Sequence, residues 1–553
     1  MSVRALSAAL VIGLGLAGVA VGSANAVDDP TVVKLAIAVP LVVPASADDF
    51  LDAETLAQYT SDQGLLTREL DAVIGRPVAI GIDPRIIASI RLLGSSAPES
   101  ATLWLERLES ASNETFPLGY ADADITLQTQ AGSPSVLSPE TFDFAIDPAL
   151  FAPAGTASSP APTASPTATP SAPAVPTSEE ILAWPYSLTD IAWPRDSTVI
   201  ASDLPTITAS GYTTTIVSSA NVARDASSGP AAQVGDSGLL VSDAAISQAL
   251  RTAAASSLTT DWSTSLAELS SAIAAGGRVQ SGGATVFATL DRTVPVFGSR
   301  LAETIDALLL DPTVDFVPLA EAKGTAPVTA SIIDQPQEPD RISRAGQMIQ
   351  GEIAETSFAS VANDPAAITS NRRLELLTLL SSQWEWKLEA WPEAADAFTT
   401  ASIALRNSVH LVTSSNFLLI ADNDQYLPIT VNNALDQQAT VFVTVRSQSA
   451  LLVIDEVSVE LAIEAGSQAK VNIPVHSLSN GVVEVDVSLT SATGVPIGAP
   501  ISSEVNVQAG WETPIVVAIA IAVVLVFGIG VVRTVIRRRK ARDSDDAIGI
   551  DGD

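Results

Sequence analysis

Pro77-Val-Ala-Ile-Gly-Ile-Asp-Pro-Arg-Ile-Ile-Ala-Ser-Ile-Arg-Leu-Leu93 is the stretch whose reading decides the fold of the first half of this chain. Pro77 to Ile82 is a short apolar run without polar alternation, which is how a strand buried on both faces reads. Pro84 to Leu93 then spaces its apolar residues three and four apart, as a helix does. Asp83 and Pro84 stand between them as helix N-cap and first-turn residue. Strand, tight turn and helix in that order make half of a parallel βαβ unit.

The same alternation extends outward from about Val32 to Ala330. Strand-like runs are predicted at Val32 to Val43, Phe116 to Tyr120, Phe142 to Ile146, Thr198 to Ala201, Thr213 to Val217, Gly238 to Val241, Ala284 to Leu290 and Val314 to Leu319. Helical spacing falls between them at Leu65 to Val73, Ala101 to Ser110, Ala244 to Ala255, Ser263 to Ala275 and Arg300 to Leu309. So many units in roughly 290 residues predict a closed or nearly closed β/α barrel over 27–335 rather than an open sheet. The pattern is interrupted at 152–177, where Ala, Pro, Ser, Thr and Gly leave no periodicity and predict a disordered insert.

Beyond the barrel the period changes twice. Ile342 to Ala362, Pro365 to Trp386 and Glu393 to Val409 predict a helical region over 341–412, with Trp384, Trp386 and Trp391 as core residues. From 414 to 510 the period falls to two, as in Thr440-Val-Phe-Val-Thr-Val-Arg446, which predicts an immunoglobulin-like β-sandwich. Pro514 then opens an uncharged apolar run to Val532, long enough for a transmembrane helix, followed by Arg533, Arg537, Arg538, Arg539, Lys540 and Arg542. Those basic residues assign 533–553 to a cytoplasmic tail. At the other end, Arg4, an apolar stretch and Ser23-Ala-Asn-Ala26 read as a signal peptide over 1–26, cut after Ala26. The expectation is therefore a cell-membrane protein of one span, with its ectodomain outside.

Composition removes several classes of function. The chain carries 62 acidic and 28 basic residues, a net charge of −34, so its field repels nucleic acid. It has no cysteine, which excludes thiol catalysis, cysteine zinc sites and disulfides. Its two histidines, His410 and His476, lie outside the predicted barrel, so no metal site is expected there. No phosphate loop, dinucleotide fingerprint or serine nucleophile elbow is present, and no cofactor is expected.

In a β/α barrel the chemistry sits at the C-terminal ends of the strands. Carboxylates fall there at Asp83, Asp122, Asp124 and Asp147, with Asp291 after the run Ala284 to Leu290. Two carboxylates facing each other across a cleft can act as acid and as nucleophile or base on a glycosidic bond. Against this, Asp83-Pro84 and Asp147-Pro148 are also ordinary helix starts. Tyr120, Trp184 and Trp193 are the candidate ligand-binding aromatics, with a buried lid as the structural alternative.

Leu41-Val-Val-Pro44, Ile82-Asp-Pro84, Tyr120-Ala-Asp-Ala-Asp124, Ala145-Ile-Asp-Pro148, Ala183-Trp-Pro185, Ala192-Trp-Pro194 and Leu427-Pro-Ile-Thr-Val-Asn-Asn433 resemble an uncharacterised actinobacterial family of single-pass membrane proteins. Its N-terminal part resembles the barrel of polysaccharide deacetylases and certain glycoside hydrolases. The resemblance implies an envelope protein near cell-wall assembly, because such genes often accompany the lipid II flippase. Metal-dependent deacetylation needs an Asp and two His ligands, and this barrel region has no histidine. The leading expectation is a non-catalytic module that binds a cell-wall glycan or docks a membrane protein of envelope assembly. A carboxylate-dependent glycoside hydrolase acting on an envelope polysaccharide is the alternative.

Overall fold

The computed structural model describes residues 32–151, 175–225, 227–279, 284–290, 292, 298–412, 417–420, 425–508 and 512–542. The predicted signal peptide, nearly all of the insert, Asp291 and the tail beyond 542 lie outside these residues.

The first half builds strands β1 (Val33–Leu41), β2 (Ala79–Ile82), β3 (Thr115–Pro117), β4 (Ile191–Ala192), β5 (Thr214–Ser218), β6 (Val222–Ala223), β7 (Ala231–Val234), β8 (Ser237–Ser242), β9 (Thr285–Thr289), β10 (Val314–Phe316), β11 (Val328–Thr329) and β12 (Ser331–Ile332). Hydrogen bonding arranges them as two main sheets. In the first, β1 pairs in parallel with β2, β9 and β10, and β2 with β3. In the second, β4, β5 and β8 run parallel while β7 and β8 form an antiparallel hairpin. Single backbone bonds link the sheets at their margins, Leu188 N to Thr115 O (3.1 Å) and Asp243 N to Phe287 O (2.7 Å). The two sheets share one apolar cluster, to which Ala36 and Ala38 of β1, Ala79, Phe116, Ile191, Ile216, Leu240 and Phe287 each contribute. Helices pack on the outer side through a larger cluster that includes Leu56, Leu70, Ile86, Ile90, Trp104, Leu250 and Ile305.

Two predicted strands do not form. Phe142 to Ile146 forms a 3-10 turn at Asp143–Ala145, closed by Ala145 N to Phe142 O at 2.8 Å. Only Phe142 of that run is fully buried, so no second apolar face exists to hold it in a sheet. At Thr198 to Ala201 side chains take the backbone donors a ladder would use: Asn221 accepts Val199 N–H (3.1 Å) and Asp203 accepts Ile200 N–H (2.9 Å).

The helical region comprises Pro339–Ala359, Pro365–Leu379 and Trp391–Arg406. The middle helix stops before the predicted Trp386, and a 3-10 segment, Ser382–Lys387, follows with Ser381 Oγ capping Gln383 N–H at 3.2 Å. Trp384 and Trp391 are buried as expected, whereas Trp386 is 58% exposed and is not a core residue. These helices share a core with the first half, where Met348, Leu377, Trp391 and Phe398 pack with Tyr120, Ala123 and Phe142.

The chain continues through β13 (Val409–Leu411), β14 (Phe417–Ile420), β15 (Gln425–Asn433), β16 (Ala439–Ser447), β17 (Leu452–Ile454), β18 (Ser458–Ile463), β19 (Ser467–Ser477), β20 (Gly481–Thr490) and β21 (Pro496–Gln508). They form two facing sheets ordered β13-β15-β19-β17 and β14-β21-β20-β16-β18. Strict alternation explains the sandwich: Ala439, Val441, Val443 and Val445 point into the core while their neighbours on β16 point outward. The helix Glu512–Arg542 follows, with an apolar span of Ile515–Arg539 that has no burial within the fold.

One glycine shows how tightly the first helices are joined. A Cβ on Gly64 would lie 2.2 Å from the Tyr59 carbonyl oxygen, a backbone atom that cannot swing away. Gly64→Ala is expected to destabilise the first half by about 1–3 kcal/mol, as overpacking does. Its urea midpoint, followed by tryptophan fluorescence, checks this.

Candidate functional site

At the C-terminal end of β2, Asp83 caps the helix Pro84–Leu92 and is 1% exposed. One of its oxygens accepts the N–H groups of Arg85 (2.9 Å) and Ala121 (2.8 Å). The second bond ties it to the loop after β3, where Ala121 (φ 57°) and Asp122 (φ 51°) are both left-handed. Two successive non-glycine residues in that region cost roughly 1–3 kcal/mol each, so the surrounding contacts must impose the shape. Burial pushes the Asp83 carboxyl up to about 7, with the Arg85 N–H and guanidinium opposing and Asp122 adding to the rise.

Asp122 is 2% exposed and faces Arg292, whose Nε lies 2.9 Å from both carboxylate oxygens; Gln383 Nε2 donates to Oδ2 at 3.0 Å. Burial moves this carboxyl upward against the pull of Arg292. The guanidinium also donates to the carbonyls of Trp193 and Pro194 and lies 4.8 Å from the Trp193 ring centre. Trp193 in turn packs on Phe116, ring centres 5.9 Å apart, and is 4% exposed.

Asp124 caps the helix Ile125–Gln130 through Oδ1, which accepts from Thr126 N (3.1 Å), Thr126 Oγ1 (2.8 Å) and Leu127 N (3.3 Å). Its Oδ2 accepts from Gln337 Nε2 at 2.6 Å. Gln337 also accepts from Arg195 (3.2 Å), and Arg195 forms a forked pair with Glu385 at 3.1 and 2.7 Å. Asp124 N–H donates to Leu380 O at 2.8 Å, and Ala123 bridges Ser381. The segment 380–387 is thus seated on the loop that follows β3.

Asp83, Asp122 and Asp124 are therefore brought together, but each already has internal donors. Asp147 is separate: it is exposed just before the 3-10 turn Pro148–Phe151, and its carboxylate accepts the nearby Ala149 N–H at 2.9 Å. Its expected place at a strand end is corrected with the loss of the strand Phe142 to Ile146. Tyr120 is 3% exposed, with its hydroxyl donating to Asp49 O (2.9 Å) and its ring 5.9 Å from Phe142, so it is a core residue rather than an open platform. Trp184 packs half-buried on the outer helices, with the Arg91 guanidinium 5.9 Å from its ring. It does not join Trp193. Arg292, Gln337, Gln383 and the pair Arg195–Glu385 were not expected from the sequence, because no local pattern distinguishes them from surface residues.

A cleft of about 410 Å³ opens at the opposite, N-terminal end of the parallel strands, lined by Arg76, Asn113, Glu114 and Pro318 among others. Its polar groups are also committed: Arg76 to Asp306, Asn113 to three carbonyls, and Glu114 to the N–H groups of Leu319 and Ala320. Among the described residues no group of three or more His, Cys, Asp and Glu is placed to hold a metal ion.

None of the curated proteins matches this chain. Among solved structures, native alpha-2-macroglobulin from Escherichia coli (domain MG7 to the C-terminus) is 16% identical over 18% of this chain and 16% of that one, with a TM-score of 0.16. WR4, a C. elegans MSP family member, is 9% identical over 18% of this chain and 99% of that one, at 0.14. The E. coli chaperone DraB is 13% identical over 19% and 55%, at 0.14. The chain thus spans about a sixth of the length of that macroglobulin fragment. Over the whole architecture described above, from residue 19 to residue 545, the chain matches the Family of unknown function (DUF6049), and it belongs to that family.

Proposed function

We propose that this protein is a single-pass envelope protein whose ectodomain acts by binding, as a glycan-binding or partner-docking module in cell-wall assembly. The observation that carries the reading is the commitment of the strand-end carboxylates. Asp83 and Asp124 cap helices, Asp122 is paired with Arg292, and the segment 380–387 bonds to Asp122 and Asp124. A general acid or nucleophile must reach its substrate directly, so this arrangement favours a carboxylate glycoside hydrolase less than a binding role. The shared inner cluster supports reading the two mainly parallel sheets as the halves of a split β/α barrel with lost strand pairing. The basic cluster Arg533 to Arg542 supports an external ectodomain and a cytoplasmic C-terminus. Cell-wall assembly rests on the family resemblance of the motifs.

The test uses the full chain in detergent with peptidoglycan fragments and wall glycans, beside the double variant Asp122→Asn, Asp124→Asn. Binding without turnover is expected for a glycan-binding ectodomain, and neither binding nor turnover for one that docks a protein. Turnover that the double variant loses would overturn the proposal in favour of the hydrolase.

A further inference from the structure

The sandwich end nearest the apolar helix carries exposed apolar residues that the core does not need. Leu478, in the β19–β20 turn, is 58% exposed and Val482 is 61% exposed. On β20 the outward positions after Val482 are Glu484 and Asp486, so the outer face turns from charged to apolar only at this end. Gly481 pairs with Val507 and Val482 with Asn506, which sets the turn level with the last rungs before the helix. Leu478 N–H donates to Leu451 O at 2.8 Å, bringing the β16–β17 connection to the same level. Residues 447–454, 477–483 and 505–508 meet here without a single charge, in a chain that is 16% charged. Ile420 pairs with Gln508, so the β14–β15 connection with Asp422 and Asp424 leaves from this end too, and the apolar contact is assigned to the β19–β20 side alone.

Only residues 509–514 separate β21 from Ile515, and the helix has begun by Glu512. Six residues, three of them in the helix, can reach at most about 15 Å, against a headgroup layer of roughly 5–8 Å on each side of the hydrocarbon. We propose that Leu478 and Val482 form a lip that lies in the lipid interface of the membrane the helix crosses and holds the sandwich upright on it. Apolar side chains gain from the headgroup boundary as interfacial anchors do. Glu484, directly opposite Glu504 on the next strand, stops the lip from sinking further.

This rests on the single-pass reading, and the experiment separates the two. Because the chain has no cysteine, single cysteines at Leu478→Cys, Val482→Cys, Leu525→Cys and Leu310→Cys can each carry an environment-sensitive fluorophore. The full chain is placed in phosphatidylcholine vesicles with or without a lipid that bears a nitroxide near the headgroup. Labels at 478 and 482 are expected to emit further to the blue than at 310 and to be quenched at least twofold more by the nitroxide lipid. Water-like, unquenched labels at 478 and 482 beside a lipid-buried 525 would overturn the lip while leaving the anchor intact. A blue shift at 478 without lipid quenching would overturn it in favour of a covering protein. An unquenched, water-like label at 525 would remove the anchor itself, and the lip with it.

Discussion

Replacing Arg292 with alanine is expected to cost the ectodomain about 3–5 kcal/mol, the usual penalty for leaving one member of a buried ion pair alone. Arg292 is 7% exposed, and Asp122 beneath it 2%. Without the guanidinium, the Asp122 carboxylate keeps only Gln383 as a described side-chain donor, and Trp193 loses the cation over its ring. The left-handed Ala121 and Asp122 lose one of the contacts that lock them, which loosens the loop on which the segment 380–387 is seated. Urea unfolding of the full chain, followed by tryptophan fluorescence, should show the loss, and limited proteolysis should find new cutting near 380–391. Adding Asp122→Asn to Arg292→Ala is expected to restore part of the stability, because the unpaired buried charge is then gone. Arg107→Ala is the control, since Arg107 pairs with Asp71 at the half-exposed surface, where such pairs contribute about 0–1 kcal/mol. A loss at Arg292 no larger than at Arg107 would show that the buried pair does not hold the loop.

Stability is expected to fall as the pH rises from about 4 to about 7. Burial raises Asp83 and Asp49 to about 7, Glu375 adding to the rise at Asp49 while Arg85 and Arg372 oppose it. Burial also lifts Asp122, Glu69, Glu352 and Glu375 above the ordinary carboxylate range. A carboxyl with a raised folded pKa holds its proton in the native state while the unfolded chain has lost it. Its contribution is therefore complete below the unfolded value near 4 and is lost as pH passes the folded value near 7. For a shift of that size the loss amounts to as much as about 4 kcal/mol per group. Groups moved the other way, such as Asp52 and Asp306, are held low by hydrogen bonds from Thr55 and Arg76 and matter only below about pH 4. The urea midpoint should thus be higher at pH 5 than at pH 8. Asp83→Asn keeps an oxygen to accept from Arg85 and Ala121 but cannot ionise, so its midpoint should vary less with pH. An equally steep dependence in that variant would remove Asp83 as a source.

The elements with strong local period were legible. Asp83-Pro84 caps a helix after a strand, the alternation of β16 builds a sandwich sheet, and the apolar run after Pro514 is one long helix. Each rests on contacts between residues a few positions apart, which a linear pattern records. The errors have the same origin. The runs at Phe142 and Thr198 carry strand-like composition, but Asn221 and Asp203 supply the hydrogen bonds at Val199 and Ile200 from outside those runs. Three candidate carboxylates were found from their position after a strand, yet the position did not reveal their role.

The sequence by itself determined the order of the parts, the apolar C-terminal helix and the cap at Asp83, because each depends on spacing, length or a neighbouring residue. Only the tertiary structure decided what the strand ends present. Asp122 meets Arg292 across 170 positions and Gln383 across 261. Whether a buried carboxylate is a catalytic acid or half of an internal ion pair depends on which distant side chain the topology returns to it, and no local period encodes that.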